Sequence, residues 1–282
     1  MFWTKDILAI VLLHLSAGAH LVAAQSQTFR WSMKSANEVS NPGYTLTQCN
    51  SATIVVNDTQ ISNNPLSVPP YYMMSYEIGG TTSVSQIGSN ASNLSWTVNH
   101  AAGSNLVLQV IDSAGNSGGT ASGTFDVVEG SFGNACLPTP NTDFLSISTN
   151  TTTLTTCEPL ILDIYGGGPP YTVSIIPLNY TTVFNATLSA DENQYLWVNR
   201  AEPGGSLIAV VSDSYRQYAK ATQLIQLQGG TNFTCDNLQS QGSQQTVARA
   251  ETHLTAFNKL WIADGVFVIA IIAYIGYIIV RG

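Results

Sequence analysis

The chain has 282 residues and a mass of 30.1 kDa, which is enough for one large domain or two small ones. Only 9% of its residues are charged, against roughly 25% in an average soluble protein. Lys and Arg number 9 against 17 Asp and Glu, so the net charge is −8 and too few cations remain for nucleic-acid binding. A hydrophobic fraction of 44% also excludes a disordered chain.

The N-terminus has the organisation of a secretory signal peptide over residues 1–24. Lys5 supplies a positive charge, and the apolar stretch 7–15 is too short to cross a bilayer. Small residues up to Ala24 predict cleavage before Gln25. The alternative is an uncleaved N-terminal anchor.

The phenylalanine, tryptophan and methionine that follow the signal peptide alternate with polar residues, as in a half-buried opening strand. These three apolar residues are Phe29, Trp31 and Met33.

An internal repeat organises the region between the two ends of the chain. The first copy contains, in order, the landmarks Leu46, Cys49, Pro69, Pro70, Tyr71, Trp96, Asn99, Gly103, Asp112, Ser113, Gly130 and Cys136. The second copy contains, in the same order, Leu154, Cys157, Pro169, Pro170, Tyr171, Trp197, Asn199, Gly204, Asp213, Ser214, Gly229 and Cys235. The offset falls from 108 residues at the first cysteine to 99 at the last, as changes in loop length would cause.

Four cysteines allow three pairings, and the repeat chooses between them. Because two similar copies should fold similarly, we expect the disulfides Cys49–Cys136 and Cys157–Cys235. Each would tie the first core strand to the end of the last and bridge the core. Such bonds are typical of an oxidising compartment.

Both copies have the period and composition of β-strands. Short β-branched or aromatic runs alternate with turn-forming residues. The predicted strands are 53–56, 71–78, 106–111, 124–128, 171–177, 207–211 and 224–227. The Pro-Pro pairs are expected at strand entrances and the glycines 166–168 in a turn, with Trp96 and Trp197 in the cores.

The predicted fold class is therefore all-β: two tandem immunoglobulin-like β-sandwich domains, followed by a C-terminal helix that spans the membrane. The predicted segments are the signal peptide 1–24, the first sandwich 25–139, the second sandwich 140–238, the stalk and juxtamembrane helix 239–260, the transmembrane helix 261–280 and the cytosolic tail 281–282.

The apolar stretch 261–280 contains a single charge, Asp264, and at 1.5 Å per residue it is long enough to cross about 30 Å of hydrocarbon. With a signal peptide in front, it predicts a single-pass type I protein of the cell surface. A GPI anchor is the alternative, although Arg281 after the apolar run disfavours it. Its possible attachment sites are Ser240, Gly242 and Ser243.

The segment before the span begins with a polar linker, 239–245, and continues with apolar residues at helical spacing. These residues are Val247, Ala250, Leu254, Phe257 and Trp261. The predicted helix would lie against the bilayer or the second sandwich, or pair with a second copy of the chain.

Seven Asn-x-Ser/Thr sequons occur between the two ends, and in a secreted chain they predict N-glycosylation on exposed loops. They are Asn57, Asn90, Asn93, Asn150, Asn179, Asn185 and Asn232.

Residues suited to catalysis are few. A Ser-His-acid triad would have to use His100, for which an exposed loop position is expected. Carboxylate pairs for glycoside hydrolysis could be drawn from Asp112, Asp126, Glu129, Asp191, Glu192 and Asp213. Asp112 and Asp213 hold equivalent positions before a turn, so we expect both to cap turns. No cofactor or metal ion is predicted.

The repeat pattern resembles that of a group of fungal surface glycoproteins, chiefly from basidiomycetes, for which no activity is known. The resemblance covers residues 46–237, and the fuller form of the motif is Gly166-Gly167-Gly168-Pro169-Pro170-Tyr171. The first copy has Ser67-Val68 where the motif has glycines, and the stalk is short and Gln-rich. The resemblance implies a signal peptide, β-sandwich repeats and a terminal membrane segment.

The sequence thus favours a membrane-anchored cell-surface glycoprotein that binds a glycan or protein ligand, mediates adhesion or organises the surface, without catalysis. The alternatives are an enzyme or accessory protein acting on cell-wall polysaccharide, and a purely structural coat glycoprotein.

Overall fold

A computed structural model describes residues 22–25, 29–34, 45–57, 67–121, 123–139, 145–178, 183–230, 234–236 and 238–243. The predicted juxtamembrane helix, membrane span and cytosolic tail, most of the signal peptide, and the sequons at Asn179 and Asn232 lie outside these residues. All helices and strands that the structure assigns in the described part are β-strands, with no helix among them. That part contains no helix with the length and apolarity needed to cross a membrane.

The first repeat folds into two facing sheets. Its strands are β2 (Arg30–Lys34), β3 (Thr45–Thr47), β4 (Ser51–Asn57), β5 (Tyr71–Glu77), β6 (Thr82–Gly88), β7 (Leu94–Thr97), β8 (Asn105–Asp112), β9 (Ser117–Thr120) and β10 (Phe125–Val128). One sheet has the order β2-β4-β7, and the other has the order β3-β10-β8-β5-β6, with β9 paired to β8.

The second repeat has the same arrangement. Its strands are β11 (Leu145–Thr149), β12 (Thr153–Thr155), β13 (Pro159–Gly166), β14 (Thr172–Pro177), β15 (Val183–Thr187), β16 (Gln194–Val198), β17 (Ser206–Ser212) and β18 (Ile225–Gln228). One sheet contains β11-β13-β16 and the other β15-β14-β17-β18-β12. In both repeats a short strand pairs in parallel with the last strand, β3 with β10 and β12 with β18. This duplicated two-sheet order confirms the all-β prediction and is the arrangement of immunoglobulin-like sandwiches.

Two further strands extend the second sandwich. β1 (Val22–Gln25) pairs antiparallel with β15, so it runs across the predicted signal-peptide cleavage site. β19 (Gln241–Ser243) pairs antiparallel with β16. The prediction of a polar linker over 239–245 was therefore wrong for these three residues, since a free edge of the sheet offers backbone partners that a polar sequence does not reveal.

Each sandwich has its own core between its sheets. Trp96 is 1% exposed in the first core and Trp197 is 4% exposed in the second, as predicted. The alternation along β5 shows how the core is selected: Tyr71 and Met73 point into the first sandwich, whereas Met74 and Tyr76 belong to a different cluster on the opposite face.

The disulfides are Cys49–Cys136 and Cys157–Cys235, which is the pairing predicted from the repeat. Their location differs from the prediction, because neither bond crosses the core between the sheets. Each links the turn that follows the short parallel strand to the segment after the last strand, at one end of its sandwich. Cys157 and Cys235 pack with Val198 in a small cluster separate from the main core.

The two sandwiches pack face to face through a third buried cluster. Met74, Tyr76 and Val107 from β5 and β8 of the first repeat belong to this cluster. The residues of the second repeat in it are Ile176, Val183, Ile208, Val210 and Ala221. Val107 and Ile208 are both 0% exposed, so the outer faces of these two sheets are as dry as the cores.

The turn between β5 and β6 completes the junction. Gly79 N–H donates to Thr222 O at 3.0 Å, and Ala221 N–H donates to Gly80 O at 2.8 Å. Gly79 has φ +68°, and a Cβ built there would lie 1.9 Å from Gln223 Nε2. A glycine is therefore favoured here by the backbone angle, whereas a Cβ would only displace the end of the Gln223 side chain.

We expect Val107→Asp to uncouple the sandwiches. The new carboxylate would be buried without a partner in the junction but solvated once the sandwiches separate. We therefore expect unfolding to split into two transitions, with the free energy of the first lowered by several kcal/mol. Urea unfolding of the full-length protein, followed by tryptophan fluorescence and circular dichroism, measures this. Val84→Asp is the matched control, because Val84 is 42% exposed on the neighbouring strand β6. Equal effects of the two substitutions would contradict the importance of the junction.

The double variant Cys157→Ser/Cys235→Ser should lose stability chiefly through the unfolded state. The bond closes a loop over a sequence separation of 78 residues. In the loop-entropy model a loop of this length stabilises by about 4–5 kcal/mol. The measurement is the free energy of unfolding of the oxidised parent and of the double variant. A difference below about 1 kcal/mol would show that the bond does not constrain the unfolded chain in this way.

Candidate functional site

A cleft of about 400 Å³ opens where the two sandwiches meet. Its first wall comes from the β5–β6 turn and the loop after β7, and its second wall from the turn after β17. Residues 137–139, at the end of the first repeat, close one side. The lining side chains most suited to recognition are Glu77, Asn99, His100, Arg216, Tyr218 and Lys220.

His100 lies in this cleft and is only 3% exposed, so the prediction of an exposed loop histidine was wrong. Its Nε2 is 2.8 Å from Ser75 Oγ, and its Nδ1 is 3.8 Å from Glu77 Oε2. The ring is directed from its loop towards Ser75 on the inner face of β5, within the first repeat. The sequence around His100 does not reveal this contact, because Ser75 lies 25 residues earlier.

The Glu77 carboxylate is held by several donors. Ser104 Oγ donates to Oε1 at 2.8 Å, and the Thr81 N–H and hydroxyl both donate to Oε2 at 3.1 Å. The neighbouring His100 imidazole, 3.8 Å away, is the largest cause of a lowered pKa of Glu77. The hydrogen bonds from Ser104 and Thr81 assist it and partial burial opposes it, and the pKa falls to about 2. Glu77 is therefore charged at neutral pH.

Ser75 contacts His100, which in turn lies beside Glu77, the order of contacts in a catalytic triad. The sequence did not predict this arrangement, because Ser75 and Glu77 lie on a strand 25 and 23 residues before His100. The Ser75 hydroxyl, however, is 0% exposed and points to the inside of the first sandwich, where it also lies 3.4 Å from Ser83 O. No substrate carbonyl can approach that oxygen in this arrangement. The three residues form a buried polar network that fixes the wall of the cleft.

Asp112 and Asp213 cap equivalent turns, as predicted. Asp112 Oδ1 accepts from the Ala114 and Asn116 N–H groups at 3.0 and 2.8 Å, and Oδ2 accepts from Val68 N–H at 2.8 Å. In the second repeat, Asp213 makes the matching bonds.

Asp213 Oδ1 accepts from the Tyr215 and Gln217 N–H groups, both at 2.9 Å, and its Oδ2 accepts from Gly168 N–H at 3.1 Å. Both carboxylates thus hold the Pro-Pro segment against the turn, which is a structural role.

The other carboxylates named from the sequence are not gathered into a site. Asp126, Glu129 and Asp191 are exposed, and Glu192 Oε2 accepts from Ser189 N–H at 2.8 Å in a local turn. Within the described ranges, no group of three or more His, Cys, Asp or Glu residues could hold a metal ion.

Arg216 and Lys220 give the second wall of the cleft its charge, and sequence reasoning missed them. Both are exposed. Arg216 adopts φ +63°, a left-handed conformation that is uncommon for residues other than glycine. The equivalent residue of the first repeat, fixed by the same turn hydrogen bonds, is Gly115 at φ +81°.

A larger groove of about 710 Å³ lies beside the cleft and shares Lys220 with it. It runs along β11, and its other side is formed by residues 221–223 and Ile225. Apart from Lys220 its lining side chains are uncharged.

Four of the predicted glycosylation sites are exposed at the ends of the outer strands: Asn57, Asn90, Asn93 and Asn150. Asn185 is half-buried on β15, where its Oδ1 accepts from Ser174 Oγ at 2.7 Å. None of these five asparagines lines the cleft.

No protein-family model and no curated protein sequence matches this chain. Among solved structures, fibronectin(III)-like modules of CbhA from Clostridium thermocellum are 12% identical, with 71% of this chain and 94% of that chain covered and a TM-score of 0.24. The FN1–FN3 domains of chicken CNTN1 are 11% identical, with 73% and 64% covered and a TM-score of 0.23. A biofilm-associated protein BSP domain is 14% identical, with 66% and 29% covered and a TM-score of 0.22. With TM-scores this low, the assignment of the fold rests on the strand order given above.

We expect the stability contributed by the Glu77 charge to depend on pH. Because its pKa is about 2 in the folded protein and 4.5 is the ordinary value, the contribution is fully present above about pH 5 and is lost as the pH falls through 2. The difference in free energy of unfolding between the parent and Glu77→Gln should therefore shrink between pH 5 and pH 2. Glu129→Gln is the control for removal of an exposed carboxylate, and an equally large pH dependence in that variant would contradict the assignment.

Proposed function

We propose that this protein is a membrane-anchored glycoprotein of the cell surface, whose two-sandwich head binds a ligand outside the cytosol. The observation that carries the proposal is the cleft at the junction, because its walls come from both repeats and exist only when the sandwiches pack together. Ligand sites occur preferentially at such junctions.

The compartment is supported by the covalent chemistry of the head. Both disulfides close within the repeats, and no cysteine among the four is left free. Disulfides of this kind persist in the secretory pathway and outside the cell. The exposed asparagines of four sequons agree with this placement, as do the predicted signal peptide and the apolar stretch 261–280.

A binding role fits the cleft better than catalysis does. His100 lines the cleft, but its partner Ser75 has its hydroxyl buried inside the first sandwich. Asp112 and Asp213 are engaged in turn capping. The exposed groups of the cleft include charged, amide and hydroxyl side chains beside the apolar Ala101 and Pro138, a mixture that suits the recognition of a polar ligand. The proposal therefore gives no residue a catalytic role.

Expression of the full-length chain in a eukaryotic host, with an epitope tag after Gln25, tests the compartment. We expect the tag to be labelled on intact cells, and the protein to lose mass on treatment with an N-glycosidase. Release by a phosphatidylinositol-specific phospholipase would indicate a GPI anchor, and retention would indicate the helix over 261–280. Unmodified protein in the cytosol would refute the proposal.

A further inference from the structure

We infer that the cleft recognises an acidic oligosaccharide, with Arg216 and Lys220 binding its carboxylate or sulfate groups. This inference rests on the proposed function, because it names the ligand class of the same cleft. It begins from charge: the chain carries a net charge of −8, yet two cations four positions apart line this one cleft.

Among the described residues, neither cation has a carboxylate partner, and the neighbour that the Arg216 charge acts on is the Tyr218 hydroxyl, whose pKa it lowers against the larger opposing effect of burial. No ion pair within the described ranges involves Arg216 or Lys220, and both side chains are exposed. The carboxylate of the cleft, Glu77, is already engaged by Ser104, Thr81 and His100. The two cations are therefore available to an anion from outside, and Arg in particular presents paired N–H donors that match a carboxylate.

The comparison of the two repeats shows that the fold does not require either cation. The turn after β8 has Gly115 where the turn after β17 has Arg216, with matching bonds: Gly115 N–H donates to Asp112 O at 3.1 Å, and Arg216 N–H donates to Asp213 O at 3.0 Å. Glycine adopts this backbone angle without steric cost, whereas arginine does not. The second repeat thus has arginine in a left-handed conformation where the first repeat has glycine, and this points to a function of the arginine side chain.

Lys220 also stands where the first repeat has glycine, although its own backbone is not in the left-handed conformation. Thr222 N–H donates to Ala209 O at 3.0 Å and Ala121 N–H donates to Leu108 O at 2.9 Å, which aligns Lys220 with Gly119 of the first repeat. The second repeat therefore has a cation at two positions where the first has glycine.

The rest of the lining favours a polyhydroxylated ligand over a peptide. Ala101, Leu137, Pro138 and the Tyr218 ring give it apolar surface, which suits the C–H faces of sugar rings. Five hydroxyl or amide side chains lie among them and suit the sugar hydroxyl groups: Thr81, Thr82, Asn99, Thr139 and Gln217.

The shape agrees with a short oligomer. A volume of about 400 Å³ is within the usual range for small-molecule pockets, and the larger groove that shares Lys220 allows the ligand to continue beyond it. The tetramer of galacturonate and a sulfated galactose tetramer are suitable probes, and they separate carboxylate from sulfate recognition. The neutral galactose tetramer and a tetraglutamate peptide are the controls.

The test is titration calorimetry with the full-length protein in detergent. We expect at least one acidic tetramer to bind at least about tenfold more tightly than the neutral tetramer and tetraglutamate. Arg216→Gly should weaken that binding at least about tenfold without lowering Tm, because glycine suits the left-handed turn. Lys220→Gln should weaken binding similarly, and Arg30→Gln, which removes an exposed cation on β2 outside the cleft, should have no effect.

Three results would overturn the inference: no binding of either acidic tetramer, binding of the neutral tetramer or tetraglutamate as tightly as the acidic ones, or undiminished binding to Arg216→Gly. Tight binding of tetraglutamate would assign the cleft to acidic peptides. If the neutral tetramer binds and Tyr218→Ala abolishes that binding, the cleft remains a binding site and only the acidic nature of the ligand is refuted. The labelling of intact cells tests the cell-surface location and the calorimetry tests the ligand class, so either proposal can fail while the other stands.

Discussion

The architecture depends on the burial of one apolar face between two sheets. Val107 and Ile208, both fully buried, lie on strands β8 and β17, and each of these strands also contributes its opposite face to a sandwich core. Strands that are buried on both faces must be apolar at nearly every position, which explains the apolar runs in these two strands. Gln109 interrupts the run in β8, where it is buried and hydrogen-bonded to Tyr76 and Ser117. The junction fixes the cleft, because it brings the turn after β17 next to the loop that carries His100.

The duplication explains how a stable fold acquired a site without losing its framework. The turn-capping aspartates, the disulfides and the core tryptophans have counterparts in both copies, because both sandwiches need them. The differences gather at the junction. Ser75 and Glu77 of β5 stand opposite Ile175 and Pro177 of β14 in the repeat alignment, and His100 stands opposite Arg200. A polar network thus occupies only the first copy, whereas the two exposed cations of the cleft occupy only the second.

Much of the fold could be predicted from residue patterns with a local cause. Alternating apolar residues predicted the main strands, and the ordered repeat predicted the disulfide pairing, which the structure confirms. The strand β6 was missed because its sequence, Thr-Ser-Val-Ser-Gln-Ile-Gly, buries few apolar side chains. The site was predicted less well. The capping roles of Asp112 and Asp213 follow from a local turn motif, whereas the burial of His100 depends on its contact with Ser75, 25 positions away, and the cleft depends on residues more than 100 positions away.

The sequence by itself determined the main core strands, the core tryptophans and the disulfide pairing, because strand period, turn chemistry and duplication are properties of neighbouring or equivalent residues. Only the tertiary structure decided that the two sandwiches share a dry face, that Gln241–Ser243 joins a sheet, and that Arg216 meets the wall formed by Glu77 and His100. An apolar outer face on a sheet shows in the sequence only as a longer apolar run. What covers that face depends on which surfaces fit together in three dimensions.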